Sequence, residues 1–205
     1  MSVTIKKPFY KSITNILIII ISLCYVLNLF INKEDAFIGV NPYKMMEIGA
    51  LSHTTPIWTF ISSLFVHVSF SHFITNIIML WLLGHIVEEE YNIYIYITIF
   101  FVGGLLGNVL QFLINDNAVI SGSSGSVYAL LGSFAASLII DKNIKLQENK
   151  LLVLLIIMTI GIGVIYTVIG VNINVMAHLI GLFWGFVFPI TVHFTKQLSE
   201  KYKIN

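Results

Sequence analysis

The chain has 205 residues, of which 57% are hydrophobic and only 10% charged, and its mean hydropathy is +0.91. These values exclude an ordinary soluble domain and are typical of a polytopic membrane protein, in which each span needs about 20 apolar residues. The net charge is +1, and the 11 basic residues are scattered lysines, which excludes the clustered basic face of a nucleic-acid-binding protein. The single cysteine, Cys24, lies in an apolar run, so the sequence offers neither a disulfide nor a cysteine-based metal site.

Six apolar stretches predict an all-α membrane protein with six transmembrane helices, forming one domain over residues 1–205. Their predicted bounds are about 12–31, 69–88, 93–114, 124–140, 151–170 and 175–195. The longest connection, residues 32–68, mixes charged with apolar side chains and is predicted to lie along the membrane interface, its last part, 57–68, being interfacial or re-entrant. The acidic run 88–90 is interpreted as a solvated helix end.

The positions of the lysines predict the orientation of the chain, because cytoplasmic loops are enriched in basic residues. With six spans and both termini in the cytoplasm, only Lys33 and Lys44 of the 11 lysines fall outside. Spans two, four and six then all begin at the outer face, and their first turns carry polar side chains at one depth. Those side chains are His72, Asn76, Ser124 and His178.

Polar side chains inside spans are costly and often mark function, although each of these alone also fits a simple hydrogen bond to a neighbouring helix. Ser124 begins a helix face of small residues. His178 shares a face with Gly181 and Gly185, a small-xxx-small pair that lets helices approach closely. These two faces predict that spans four and six pack with Ser124 beside His178, and with Tyr128, one turn deeper, against the imidazole. The serines at 121, 123 and 126 are interpreted as flexible, wet surroundings of Ser124.

A serine hydroxyl becomes a good nucleophile when an adjacent base takes its proton, and neutral histidine is the usual base near pH 7. Ser124 and His178 are therefore predicted to form a catalytic dyad, with no carboxylate at this depth in spans two, four and six to complete a triad. His72 and Asn76 face the same side of the second span and, with the Ser124 amide, are predicted oxyanion donors. The predicted chemistry is acyl transfer with water as the second nucleophile, at a site reached from outside.

Two other classes of protein compete with this prediction. His67, His72 and His178 suggest a metal site, but no His-Glu-x-x-His pattern exists, and we predict no metal. A transporter-like bundle, or a non-catalytic binder of membrane proteins, is the alternative function, because buried polar groups also line substrate pathways. Transporter spans often show an internal repeat, which this sequence lacks. Three further histidines are interpreted as solvated or interfacial: His53, His85 and His193.

Three motifs resemble those of the rhomboid family of intramembrane serine proteases. Residues 122–125, Gly-Ser-Ser-Gly, with Tyr128 four after the second serine, resemble the family signature G-x-S-G. Residues 177–185, with Ala177-His178, Gly181 and Gly185, are similar to its A-H-x-x-G-x-x-x-G. His67, His72 and Asn76 resemble its H-x-x-x-x-H-x-x-x-N. The motifs occur in the family's order, and the resemblance covers about residues 57–190.

The resemblance implies that Ser124 is the nucleophile, His178 the general base, His72 and Asn76 oxyanion donors, and Tyr128 a ring stacked on the base. It implies the compact six-helix bacterial form. With the orientation that the lysines predict, the protein is expected in a bacterial cell membrane with its active site open to the extracytoplasmic side. It also implies cleavage of single-pass transmembrane protein substrates in or near their spans, without cofactor or ATP.

The resemblance further implies that the 32–68 connection is a membrane-inserted first loop. Many members of the family have Trp-Arg in this loop, whereas this chain has Trp58-Thr59. The difference concerns the anchoring of the loop and leaves the catalytic set complete.

Overall fold

The computed structural model describes residues 11–140 and 174–203, with scattered positions between 154 and 165. These described parts of the chain are all-helical and contain no β-strand, although Leu51 and Ile120 form one isolated antiparallel bridge. The helices are α1 (Ile13–Asn32), α2 (Asp35–Ile38), α3 (Pro42–Glu47), α4 (Thr59–Ser62), α5 (Phe70–Glu90), α6 (Ile93–Ile114), α7 (Ser124–Ile140) and α8 (Val175–Lys203).

Four of these helices, α1, α5, α6 and α8, are long and apolar enough to cross a membrane, and α7 is a shorter apolar helix. The predicted bounds 93–114 and 124–140 agree with α6 and α7, and the predicted first and second spans agree with α1 and α5 to within two residues. The predicted sixth span, about 175–195, lies within α8, which begins at Val175 as predicted and continues beyond the predicted span to Lys203. The predicted fifth span, about 151–170, lies largely outside the described residues.

Polar side chains before the first turn determine where three of the long helices begin. Ser12 accepts a hydrogen bond from the Asn15 amide at the start of α1, and Ser69 accepts one from the His72 amide at the start of α5. Asn92 begins α6 by accepting from two first-turn amides. Such caps satisfy amides that have no intrahelical acceptor.

Glu88, at the end of α5, is buried against the start of α1, so the interpretation of this acidic residue as part of a solvated helix end is wrong. Only 5% of the residue is exposed. Its carboxylate accepts hydrogen bonds from Ser12 Oγ at 2.8 Å, from the Ile13 amide at 2.9 Å and from the Thr14 amide at 3.0 Å. A negative charge is stabilised there because the first-turn amides of α1 need acceptors and form the positive end of the helix dipole.

We expect Glu88→Gln to lower the free energy of unfolding by about 2 kcal/mol, because it removes the charge and replaces one acceptor oxygen with a donor that faces other donors. Glu89, the next residue, is exposed and provides the matched control. Glu89→Gln should stay within about 0.5 kcal/mol of the unchanged protein. The measurement is equilibrium unfolding in detergent micelles, and equal losses in the two variants would contradict the capping role of Glu88.

His85 also differs from its prediction as a solvated or interfacial residue. Only 6% of it is exposed, and its Nδ1 lies 2.6 Å from the carbonyl oxygen of Trp81, one turn earlier in α5. His53 is exposed and His193 is half-buried on α8, as their interpretation expected.

The first loop, which we define as residues 33–69, has a small apolar core of its own. Its buried members are Ala36, Val40, Met45, Ala50 and Val66. Tyr25 of α1 fixes this core to the helices, because its hydroxyl donates to the Ala36 carbonyl at 2.8 Å and its ring stacks on Phe73 of α5 at 4.1 Å.

Thr59 occupies the position at which the first loop departs from the rhomboid Trp-Arg pair. It is fully buried, and its hydroxyl donates to the Pro56 carbonyl at 2.6 Å and lies 2.9 Å from the hydroxyl of Thr55. A short threonine therefore fixes the turn before α4 from inside the loop. The loop's large exposed apolar side chains are ones that an interfacial segment would place in lipid. They are Phe37, Ile38, Tyr43, Ile57, Trp58 and Ile61.

Candidate active site

The turn that leads from α6 to α7, residues 118–123, is held by backbone bonds to the first loop. Leu51 and Ile120 exchange two N–H···O bonds of 2.9 and 2.8 Å. The Gly122 amide donates to the Ser63 carbonyl at 2.8 Å. Gly122 has a φ of +105°, and a Cβ there would collide with the ring of His72. The turn therefore requires glycine at this position, both for its backbone conformation and for the space that the His72 ring occupies.

Ser124 is the first residue of α7, and its Oγ lies 2.9 Å from Nε2 of His178 on α8. The two helices approach closely enough for this contact because glycines line their interface. A Cβ at Gly181 would meet the carbonyl oxygen of Gly125, and one at Gly185 would meet that of Ala129. Close backbone packing therefore brings the hydroxyl of one helix within hydrogen-bond distance of the imidazole of the other.

Tyr128, one turn after Ser124, lies flat against the histidine. The Tyr128 and His178 rings are 4.3 Å apart between centroids and inclined by only 4°. Among the described residues that line the adjoining cavity there is no Asp or Glu. Stacking on Tyr128 therefore restrains the plane of the imidazole, a role that a carboxylate has in a triad.

His72 and Asn76 both lie on the side of α5 that faces Ser124, where they line the same cavity. The side-chain amide of Asn76 donates one hydrogen to the His72 carbonyl at 2.8 Å, and only 3% of the residue is exposed. An asparagine amide carries a second hydrogen, which stays available for another acceptor. The structure thus brings together the residues predicted from sequence, with Asn76 oriented by its own helix.

The cavity has a volume of about 790 Å³ and lies between the first loop, the start of α5, the turn before α7 and the start of α8. Ser124, Tyr128 and His178 form one side of it. Asn115 and Asn117, from the polar loop that the sequence places before the serine run, line it, as do two polar residues that the sequence did not single out, Gln111 and Asn174. Amide side chains both donate and accept hydrogen bonds, so this lining can hold water beside the serine.

Ser123 and Ser126 are completely buried, so their interpretation as flexible, wet surroundings of Ser124 is wrong. Ser123 instead faces a second histidine, His67, whose Nε2 lies 3.4 Å from Ser123 Oγ and 3.5 Å from the Ser123 amide nitrogen. Helical spacing carried a signal for this, because Ser123 begins an apolar helix face that continues through Val127 and Leu130.

Asn108 is a further polar residue near the site that the sequence did not single out. Its side-chain amide donates to Ser63 Oγ at 2.9 Å and to the Phe60 carbonyl at 3.2 Å. Because Ser63 in turn holds Gly122, Asn108 connects α6 with the turn that carries the serine.

Comparison with known proteins gives a family match over most of the chain. The family model of the Rhomboid domain matches residues 54–194. The chain is 26% identical over 188 residues to Rhomboid protease GlpG of Haemophilus influenzae, covering 88% of this chain and 94% of that protein. It is 26% identical over 131 residues to Putative rhomboid protease YdcA of Bacillus subtilis, covering 63% of this chain and 64% of that one.

Plant proteins are also similar. RHOMBOID-like protein 7 of Arabidopsis thaliana is 24% identical over 176 residues, which cover 78% of this chain and 53% of that protein. The chain spans about half the length, 40% to 53%, of these Arabidopsis relatives.

Proposed function

The chain belongs to the rhomboid family, and from this membership and the geometry of the site we propose that it is an intramembrane serine endopeptidase. Its substrates are single-pass transmembrane proteins, cleaved in or near their spans. The observation that carries the proposal is the 2.9 Å contact between Ser124 Oγ and His178 Nε2 beside a polar cavity.

The first half of the reaction makes an acyl-enzyme. His178 Nε2 takes the proton of Ser124 as its Oγ attacks the scissile carbonyl carbon, which forms a tetrahedral intermediate with a negatively charged oxygen. His178 then gives that proton to the departing amine nitrogen, and the C–N bond breaks. Tyr128 keeps the imidazole plane fixed through both transfers, because its ring covers one face of the histidine.

Water completes the reaction. It enters through the polar cavity, loses a proton to His178 and attacks the acyl carbon, and the proton returns to Ser124 as the ester bond breaks. The products are a new carboxylate and a new amine, so the cycle consumes one water and needs neither cofactor nor ATP.

The developing oxyanion is stabilised by the Ser124 amide together with His72 and the second amide hydrogen of Asn76. The amides of the two preceding residues already have acceptors, in the Ser63 carbonyl and in His67. The Ser124 amide follows them at the first turn of α7, where amides lack intrahelical acceptors. Preorganised donors of this kind are each worth about 10²–10³-fold in rate.

The orientation of the protein in the membrane belongs to the same proposal. Six spans with both termini in the cytoplasm place the lysines at the end of α8 inside, and Lys33 and Lys44 of the first loop outside. The active-site cavity then opens to the extracytoplasmic side of a bacterial cell membrane, where water is available.

The test is cleavage of diverse single-pass proteins by the purified protein in liposomes, combined with labelling by a fluorophosphonate probe. We expect the unchanged protein to release fragments and to be labelled on Ser124, and Ser124→Ala to do neither. Ser133→Ala is the matched control, because Ser133 lies buried further along α7, and it should behave as the unchanged protein. If the unchanged protein neither cleaves nor takes the label, the proposal is wrong, and the alternative of a non-catalytic binder or transporter-like bundle is the one to test next.

A further inference from the structure

Two serine–histidine pairs lie side by side at the start of α7, and only one of them reaches the cavity. Ser124 faces His178 and lines the cavity, whereas Ser123 and His67 are both 0% exposed and do not line it. Ser123 also provides the carbonyl that accepts the first hydrogen bond of α7, from Val127 at 2.9 Å. Ser123 thus occupies the N-cap position, from which the direction of the Ser124 amide and side chain is set.

The contacts of His67 fix its neutral tautomer. Nδ1 lies 3.2 Å from the Phe65 carbonyl oxygen, which can only accept, so Nδ1 carries the hydrogen and Nε2 presents its lone pair to Ser123. Burial, together with the neighbouring His72, holds the pKa of His67 well below its usual value. The neutral ring therefore acts as an acceptor for the amide and hydroxyl of Ser123.

The peptide of His67 is itself held by α1. Asn28 donates from its side-chain amide to the His67 carbonyl at 2.8 Å, and Asn32 donates to Asn28 Oδ1 at 2.8 Å. Both asparagines are buried, at 1% and 6% exposure. Amides inside a span are costly unless they are hydrogen-bonded, so this arrangement keeps α1 and the end of the first loop in one register.

We propose that His67 and Ser123 form a positioning pair, anchored to α1 through Asn28, that fixes the N-cap of α7 and thereby holds Ser124 at its distance from His178. The pair takes no part in bond making. Its effect is on the geometry of attack, for which a displacement of about 1 Å costs about 10²-fold in rate. This inference rests on the proposed protease function and assigns to α1 a contribution to that function.

The experiment compares Ser123→Ala, His67→Ala, the double variant and His67→Gln. We expect kcat to fall about tenfold in Ser123→Ala, which keeps the amide contact, and about 10²-fold in His67→Ala, which loses both contacts. KM should stay within about twofold, because neither residue lines the cavity.

The double variant should be no slower than His67→Ala, since the residues act as one unit. His67→Gln, whose side-chain oxygen can accept from Ser123, should recover part of the loss.

Two further readouts separate positioning from a general loss of structure. The rate of fluorophosphonate labelling at Ser124 should fall by the same factor as kcat in each variant, at a temperature where unfolding curves show all variants folded. Ser126→Ala is the control, because Ser126 is equally buried three residues further along and should retain the kcat of the unchanged protein.

The possible failures are distinguishable. An unchanged protein that neither cleaves nor labels overturns the proposed function, and this inference with it. If the unchanged protein is active, three results overturn the positioning pair alone: kcat within about twofold in both single variants, losses that multiply in the double variant, or a rise in KM at constant kcat.

Discussion

His178→Ala should lower the rate of peptide-bond cleavage by about 10⁴-fold, because Ser124 then has no base to take its proton while the oxyanion donors and the binding cavity remain. The residual rate should equal that of Ser124→Ala and of the double variant, since nucleophile and base act as one unit. The measurement is the initial rate of fragment release from a single-pass substrate in liposomes.

His193→Ala provides the control for this variant. His193 lies on the same helix, α8, where it is half-buried and contacts Gln197 at 2.9 Å, away from the cavity. Its loss should leave the cleavage rate unchanged. A His178→Ala variant that is folded and retains more than about a tenth of the original rate would contradict the role of His178 as the base.

Gly185→Ala should lower the free energy of unfolding by about 3 kcal/mol, because the new Cβ would collide with backbone atoms of Ala129 that cannot move aside as a side chain does. We also expect cleavage to fall by about 10²-fold in the protein that still folds, since separating α8 from α7 moves His178 away from Ser124. Unfolding in detergent and cleavage in liposomes measure the two effects.

Gly161→Ala is the control for the helix-packing prediction, because no residue that the structure describes lies within 4 Å of a Cβ built on Gly161. It should leave both the unfolding free energy and the cleavage rate unchanged. Equal effects in the two glycine variants would show that close approach of α7 and α8 is not what Gly185 provides.

Much of the helical framework was predictable because its signals are local. The bounds of α6 and α7 follow from apolar runs next to polar turns, and the grouping of Ser124 with His178 follows from helix faces and a common depth. The continuation of α8 to Lys203 was not predictable, because the lysine at 196 marks the end of an apolar span and does not show where the helix itself ends.

The remaining errors concern residues whose partners are distant in the sequence. A carboxylate in an acidic run is normally solvated, and Glu88 is not, because the start of α1, 76 residues earlier, lies beside it. A serine in a serine-rich turn is normally exposed to solvent. Ser123 is buried, because His67, which lies 56 residues earlier in the sequence, packs against it. Helical spacing indicates that Ser123 begins an apolar face, but neither pairing has a spacing or motif that identifies the distant partner, so each partner required the packed structure.

The location of the proposed base, His178, on α8 has a consequence for how the protein is made. His178 follows Ser124 by 54 residues, and a membrane protein is synthesised from its N-terminus. The ribosome therefore delivers the first loop, the proposed oxyanion donors and the proposed nucleophile well before the histidine proposed to activate that nucleophile. In the proposed protease, cleavage therefore requires that α8 has inserted and packed against α7, so that completion of the fold and onset of activity coincide.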